Sequence, residues 1–264
     1  MLDFVYVPVS ALLLAGHTAT AALLGSSLAW IAAVVLLVTA VRAALYPVVR
    51  KQARRSVTMA RLRPAVAKIR HRHTDSQRQA AELRALYAEH DVRLFGGFLP
   101  MLGQALLFLG LFHVLRSFDR TAAAALPFGS TAQPLTPEVN AATANYLFDA
   151  GHVRAFLDAE LFGAPLSAAL AGAATPVTIA LIAVPLALVA AIAAHVTARM
   201  TLRRSAGQPT LPLMRPLTLW VLPGTALAGA ALLPVIVLVY LATNALCTVA
   251  LQLVAYRGLP SIGG

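Results

Sequence analysis

The stretch "LLVTAVRAALYP", Leu36 to Pro47, closes a long apolar run and carries one arginine, Arg42. Residues 28–49 match the roughly 20 apolar residues that a helix needs to cross about 30 Å of hydrocarbon. A permanent cation inside such a helix costs about 2.5 to 3.5 kcal/mol on insertion scales, so it must face a partner, water or the headgroups. Arg42 precedes Arg50 by about 12 Å along a helix axis, which leaves snorkelling open as the plain reading.

The rest of the chain decides whether that helix stands alone. With 264 residues, 59% hydrophobic, 12% charged and a mean hydropathy of +0.76, the composition excludes an ordinary soluble domain and indicates an all-α polytopic membrane protein. The single cysteine, Cys247, excludes an intrachain disulfide framework. The opening "MLDFVYVPVSALLLAG" has no positively charged region before its apolar part, so a removable signal peptide is not expected.

Five segments are expected to span. They are residues 28–49, 94–116 and 176–198, and two more within 214–257, where "GAALLP", Gly229 to Pro234, supplies the break of a hairpin. A net charge of +11 could suggest nucleic acid, but its distribution follows loop sidedness. Residues 50–93 hold twelve Lys or Arg against four acids, and Arg199 to Arg215 add four arginines and no acid. Both segments, 50–93 and 199–213, therefore read as cytoplasmic. The remaining six acids fall in 1–27 and the outer loop 117–175. The orientation expected is N-terminus outside, with a cytoplasmic tail at 258–264.

Residues 1–27 are apolar enough for a sixth span, but Pro8, Gly16, His17 and Gly25 interrupt them, and they read as an interfacial helix on the outer surface, with the span as the alternative. The basic segment reads as a helical hairpin. Met59, Leu62, Val66 and Ile69 recur at helical spacing, as do Leu83, Leu86 and Tyr87, and "TDSQ", Thr74 to Gln77, fits a capping box between them. Pro64 should kink the first helix or mark a late start. The outer segment, with Pro127, Pro134, Pro137 and Pro165, should hold short helical pieces at most.

Counted from the cytoplasmic ends, Arg42, Gln104 and Thr248 all lie roughly 12 to 15 Å deep. On the last span Tyr240, Asn244, Thr248 and Gln252 repeat every four residues and form a polar stripe. Such residues either glue helices together or line a shared cavity. A cation and a carboxylate 4 Å apart at an effective dielectric of about 20 attract by roughly 4 kcal/mol, enough to draw in an acidic segment and too little to hold it permanently. No paired carboxylates, metal-ligand spacing or glycine-rich phosphate loop occurs in the spans, so neither enzyme chemistry nor a cofactor is expected. The seven histidines are scattered, and His113 and His195 read as interfacial or packing residues. A solute transporter or channel component, and a structural assembly factor, remain alternatives at this level.

The pattern resembles a known family, the YidC membrane-protein insertases in their five-span bacterial form. "VTAVRAALYPVVRKQ" resembles the first core helix with its groove arginine, here Arg42, and "FGGFLPMLGQALLFLGLFHVLRSF" the second, with Leu99, Pro100, Leu102 and Gln104. "LDFVYVPVSALL" is similar to the outer amphipathic entry, "FLDAELFGAPLSA" to the segment before the third span, and "VYLATNALCTVALQ" to the last helix. The resemblance implies a bacterial plasma-membrane protein with a groove open to cytoplasm and lipid. Arg42, Gln104, Tyr240, Asn244, Thr248 and Gln252 would line it, and nascent membrane proteins would be its substrates, taken alone or beside the Sec translocon, without nucleotide or cofactor. Three departures mark what a secondary paralogue would show: Leu241 where an aromatic is frequent, a third span without a polar partner for Arg42, and "GLPSIGG" after Arg257 in place of the basic tail that many relatives use to recruit ribosomes.

Overall fold

The structure is a computed structural model that describes residues 3–72, 75–90, 98–121, 134–171, 173, 175–204 and 216–259. Its helices are α1 (Asp3–Leu24), α2 (Ser26–Ala44), α3 (Tyr46–Arg61), α4 (Arg63–Arg72), α5 (Ser76–Glu89), α6 (Phe98–Arg116), α7 (Pro137–Ala142), α8 (Ala150–Leu157), α9 (Pro176–Arg204), α10 (Leu222–Leu232) and α11 (Val235–Tyr256). A two-residue antiparallel pair, β1 (Glu160–Leu161) and β2 (Ala164–Pro165), follows α8, and a π-helical turn, Leu217–Val221, precedes α10. The chain is an all-α polytopic membrane protein. Helices α1, α2, α9 and α11 are each long and apolar enough to cross a membrane, while Gly103–Arg116 and Leu217–Leu232 are shorter apolar stretches.

Helix α2 ends at Ala44, earlier than residue 49, because Pro47 cannot continue its hydrogen-bond ladder and instead enters the first turn of α3. Pro64 acts the same way one element later, opening α4 after a break at Leu62. The cap of α5 is Asp75, whose carboxylate accepts from the Gln77 amide at 3.0 Å. Thr74, the expected capping residue, lies outside the described residues. The break before the last helix falls where expected: α10 stops at Leu232, Leu233 is extended and Pro234 caps α11. Helices α10 and α11 scarcely touch each other, however, because both pack along α9, which stands between them.

Burial concentrates at one end of the bundle. Trp30, in the first turns of α2, is fully buried in a cage of Phe118, Phe148 and Phe156, with ring centroids 5.2 to 5.6 Å away. The segment between α6 and α9 closes that end. Asn140, fully buried at the end of α7, donates to the Phe118 carbonyl at 2.9 Å and accepts from Arg120 Nε at 3.0 Å, which ties α7 to the end of α6. Burial also holds the Arg120 guanidinium below its ordinary range. The amides of Val235 and Ile236 donate to the carbonyls of Ala168 and Leu166 at 3.0 and 3.1 Å. These bonds satisfy the first N–H groups of α11, where Pro234 offers no side-chain cap.

Helix α1 is joined to α2 by Gly25 alone, at a positive φ of 76° that favours glycine. A Cβ at Gly16 would stand 3.2 Å from Ala33 Cα, so the two helices meet closely near the turn. Helix α1 also reaches α6: Tyr6 stacks on His113, with centroids 4.1 Å apart, and lies edge-on to Tyr146 in the aromatic-rich end layer. His17, eleven residues on, stacks on Trp30 in that same layer.

Candidate functional site

Near the other end of α2, Arg42 turns toward α11. Its Nε and Nη2 both donate to Asn244 Oδ1, at 3.1 and 2.6 Å. Gln104 of α6 donates to the same oxygen through Nε2 at 3.3 Å. Three donors on one atom fix the orientation of the Asn244 amide. Arg42, Gln104 and Asn244 are all half-buried, so the group is neither sealed in a core nor laid out on the surface.

Helix geometry explains the convergence. Tyr240 and Asn244 are one turn apart on one face of α11, and Tyr240, fully buried, packs its ring 5.7 Å from that of Phe108 on α6. One turn above Arg42, Thr39 faces Cys247 with Oγ1 and Sγ 3.9 Å apart. Arginine carries five N–H donors and no acceptor, and only two of its donor atoms are engaged by Asn244. Gln104 Oε1 is buried without a hydrogen-bond partner, among the described residues. The site therefore holds one positive charge with donors to spare, chemistry suited to a polar or acidic group entering from outside the bundle.

The structure brings Arg42, Gln104, Asn244 and Tyr240 together and sends the other two stripe residues elsewhere. Thr248 spends its hydroxyl on the Asn244 carbonyl at 2.7 Å, the i−4 bond that threonine commonly makes inside a helix. Gln252 accepts from Arg204 Nη1 at 3.0 Å. Arg204 also lies over the Tyr256 ring, 3.6 Å from its centroid, while Arg63 Nη2 donates to the Arg204 carbonyl at 2.8 Å. This second node fastens α4 to the ends of α9 and α11. Its signal was present in the sequence, since Tyr256 extends the four-residue stripe one turn past Gln252 and Arg204 ends the third span. Arg50 adds a further tie, donating to the Tyr46 hydroxyl at 3.3 Å and the Val254 carbonyl at 3.5 Å. His195 serves packing: its Nδ1 lies 3.0 Å from the Leu219 carbonyl, which the π-helical turn presents to α9.

The family model described as 60Kd inner membrane protein matches residues 22–261. Among similar proteins, the Membrane protein insertase YidC of Mycolicibacterium paratuberculosis is 36% identical over 264 residues, covering 94% of this chain and 73% of the relative. The protein of the same name from Mycobacterium tuberculosis is 36% identical over 94% of this chain and 70% of its own length. That from Mycobacterium leprae is 34% identical over 94% and 68%. A match across nearly the whole chain, carrying Arg42 and its partners within it, leads to one conclusion: this chain belongs to the 60Kd inner membrane protein family.

Proposed function

We propose that this chain is a membrane-protein insertase that receives polar segments of nascent membrane proteins at the Arg42 site and releases their apolar helices into the bilayer. The observation that carries the proposal is a membrane-depth arginine held by a neutral amide shared with a second helix. A neutral partner positions the guanidinium without neutralising it, so an acidic or polar segment still gains from approaching it. Gln104 and Asn244 keep Arg42 aimed at the entering segment, and Tyr240 forms the floor on the side of the aromatic-rich end.

In this reading the spans are α2, α6, α9, the helix formed by the π-helical turn with α10, and α11. Helix α1 is read as lying along the outer interface, where Tyr6 meets His113 and His17 meets Trp30. The basic helices α3 to α5 lie in the cytoplasm, and the N-terminus outside.

The test is photocrosslinking to a stalled nascent chain. Probes at Phe108 and Thr248, which flank Arg42 from α6 and α11, capture the nascent membrane protein, whereas a probe at Leu246, on the opposite face of α11, captures lipid. Equal capture from all three positions, or none, would remove the site from the insertion path.

A further inference from the structure

Three histidines sit along the seam that docks α1, and none of them belongs to the Arg42 site. His17 is the most unusual. It is only 7% exposed, and among the described residues neither ring nitrogen has a hydrogen-bond partner. Its ring stacks on Trp30 at 4.1 Å and meets the His152 ring at 5.9 Å, edge to face. His152 in turn bonds through Nδ1 to Asp149 Oδ1 at 2.8 Å.

The groups around this seam divide cleanly. Helix α6 contributes His113, which meets Tyr6 and Tyr146 rather than His17, and Arg116. The α8 region contributes Asp149, His152 and Arg154, and Glu160 meets Ser27 through its backbone amide. Of these, only His152 contacts the His17 ring, among the described residues. The His152 ring has Asp149 as its polar partner. A proton on His17 is balanced by nothing, and it leaves two charged N–H groups buried beside a second basic ring. Attraction between a cationic ring and Trp30 pulls the other way, but it relieves neither the unpartnered donors nor the repulsion.

We propose that the His17–His152 pair is a proton-binding latch: with His17 neutral, α1 stays docked on Trp30 and α8, and binding of a proton at His17 releases it. Burial first, and His152 second, push the docked His17 ring below the ordinary histidine range. Undocked, the ring titrates near about 6.5. Docking is therefore fully favoured above that value and weakens as pH falls through it, by up to about tenfold in the docking equilibrium per pH unit for one proton. The latch stands independently of the insertase reading.

Trp30 reports on it directly. With Trp220→Phe in place, Trp30 is the only tryptophan, and its emission is titrated from pH 8 to pH 5 in the purified full chain. The expected result is a red shift with a midpoint below about 6.5. The shift disappears in His17→Phe and in His17→Gln, and its midpoint falls in His152→Gln, which removes the like-charged neighbour and so makes a proton on the docked His17 less costly. A shift that persists in both His17 variants, no shift at all, or a midpoint above the free-histidine value would each overturn the latch.

Discussion

Arg42 on α2 and Asn244 on α11, 202 residues apart in the chain, meet at a single carbonyl oxygen that accepts from two guanidinium nitrogens at 3.1 and 2.6 Å. The pair joins the helix before the basic hairpin to the last helix of the bundle, so its two halves can be separated by mutation. Asn244→Leu keeps the branching of the side chain and removes the acceptor, leaving the arginine donors unsatisfied, at a cost of about 1 to 3 kcal/mol. A lowered melting temperature of the detergent-solubilised protein checks it. Asn244→Asp should act in the opposite sense on stability while reducing insertion of acidic segments, because the carboxylate neutralises Arg42. Loss of both stability and insertion in Asn244→Asp would show that the amide serves packing alone.

Contact between α1 and α6 depends on the absence of a side chain at Gly110. A Cβ there would stand 2.6 Å from Val5 Cγ1 and 3.4 Å from Val9 Cγ2. Gly110→Leu is therefore expected to lift the start of α1 away from α6, raising protease or hydrogen-exchange sensitivity of residues 3–10. Pairing it with Val5→Ala should restore part of the protection, and strictly additive effects would contradict a direct clash.

Trp30 holds the end layer together, with α1, α8 and the end of α6 all packed against its ring. Trp30→Ala should cost about 3 to 5 kcal/mol and loosen α1 and α8 together. Hydrogen exchange that rises in α8 but not in α1 would show that α1 docks without it.

At the other end, Arg204 links Gln252, Tyr256 and the α4 contact. Arg204→Lys keeps the charge but loses the planar stacking on Tyr256 and the fixed fork of donors. It leaves the Arg63 bond to the Arg204 carbonyl in place but should increase hydrogen exchange at the ends of α9 and α11 without moving the Arg42 site, and unchanged exchange there would show that the Arg204 side chain does not join them.

Orientation is open to a direct chemical check. In a Cys247→Ala background, Arg61→Cys should react with a membrane-impermeant thiol reagent only from the cytoplasmic face. Labelling from the outer face would reverse the orientation of every span.

Much of this arrangement was legible in the sequence because membrane depth is a one-dimensional coordinate. Arg42 and Gln104 could be matched by counting residues from the basic ends, and Asn244 followed from the four-residue stripe. The same counting could not say where Thr248 and Gln252 would point. Thr248 satisfies itself on its own helix, and Gln252 meets an arginine that ends a different span. Helix ends were misplaced where proline overrode apolarity, as at Ala44. The Trp30 cage was beyond reach, because its rings come from positions 118, 148 and 156, separated by irregular chain that carries no period.

In the proposed function, the charge on Arg42 attracts entering segments. The most direct measurement compares Arg42→Ala and Arg42→Lys with the unaltered chain in vesicles, using substrates whose translocated segment carries acidic residues and matched substrates in which those residues are neutral. Arg42→Ala is expected to lower insertion of the acidic substrates severalfold and Arg42→Lys to retain most of it, with little change for the neutral set. Normal insertion of the acidic substrates by Arg42→Ala would contradict it.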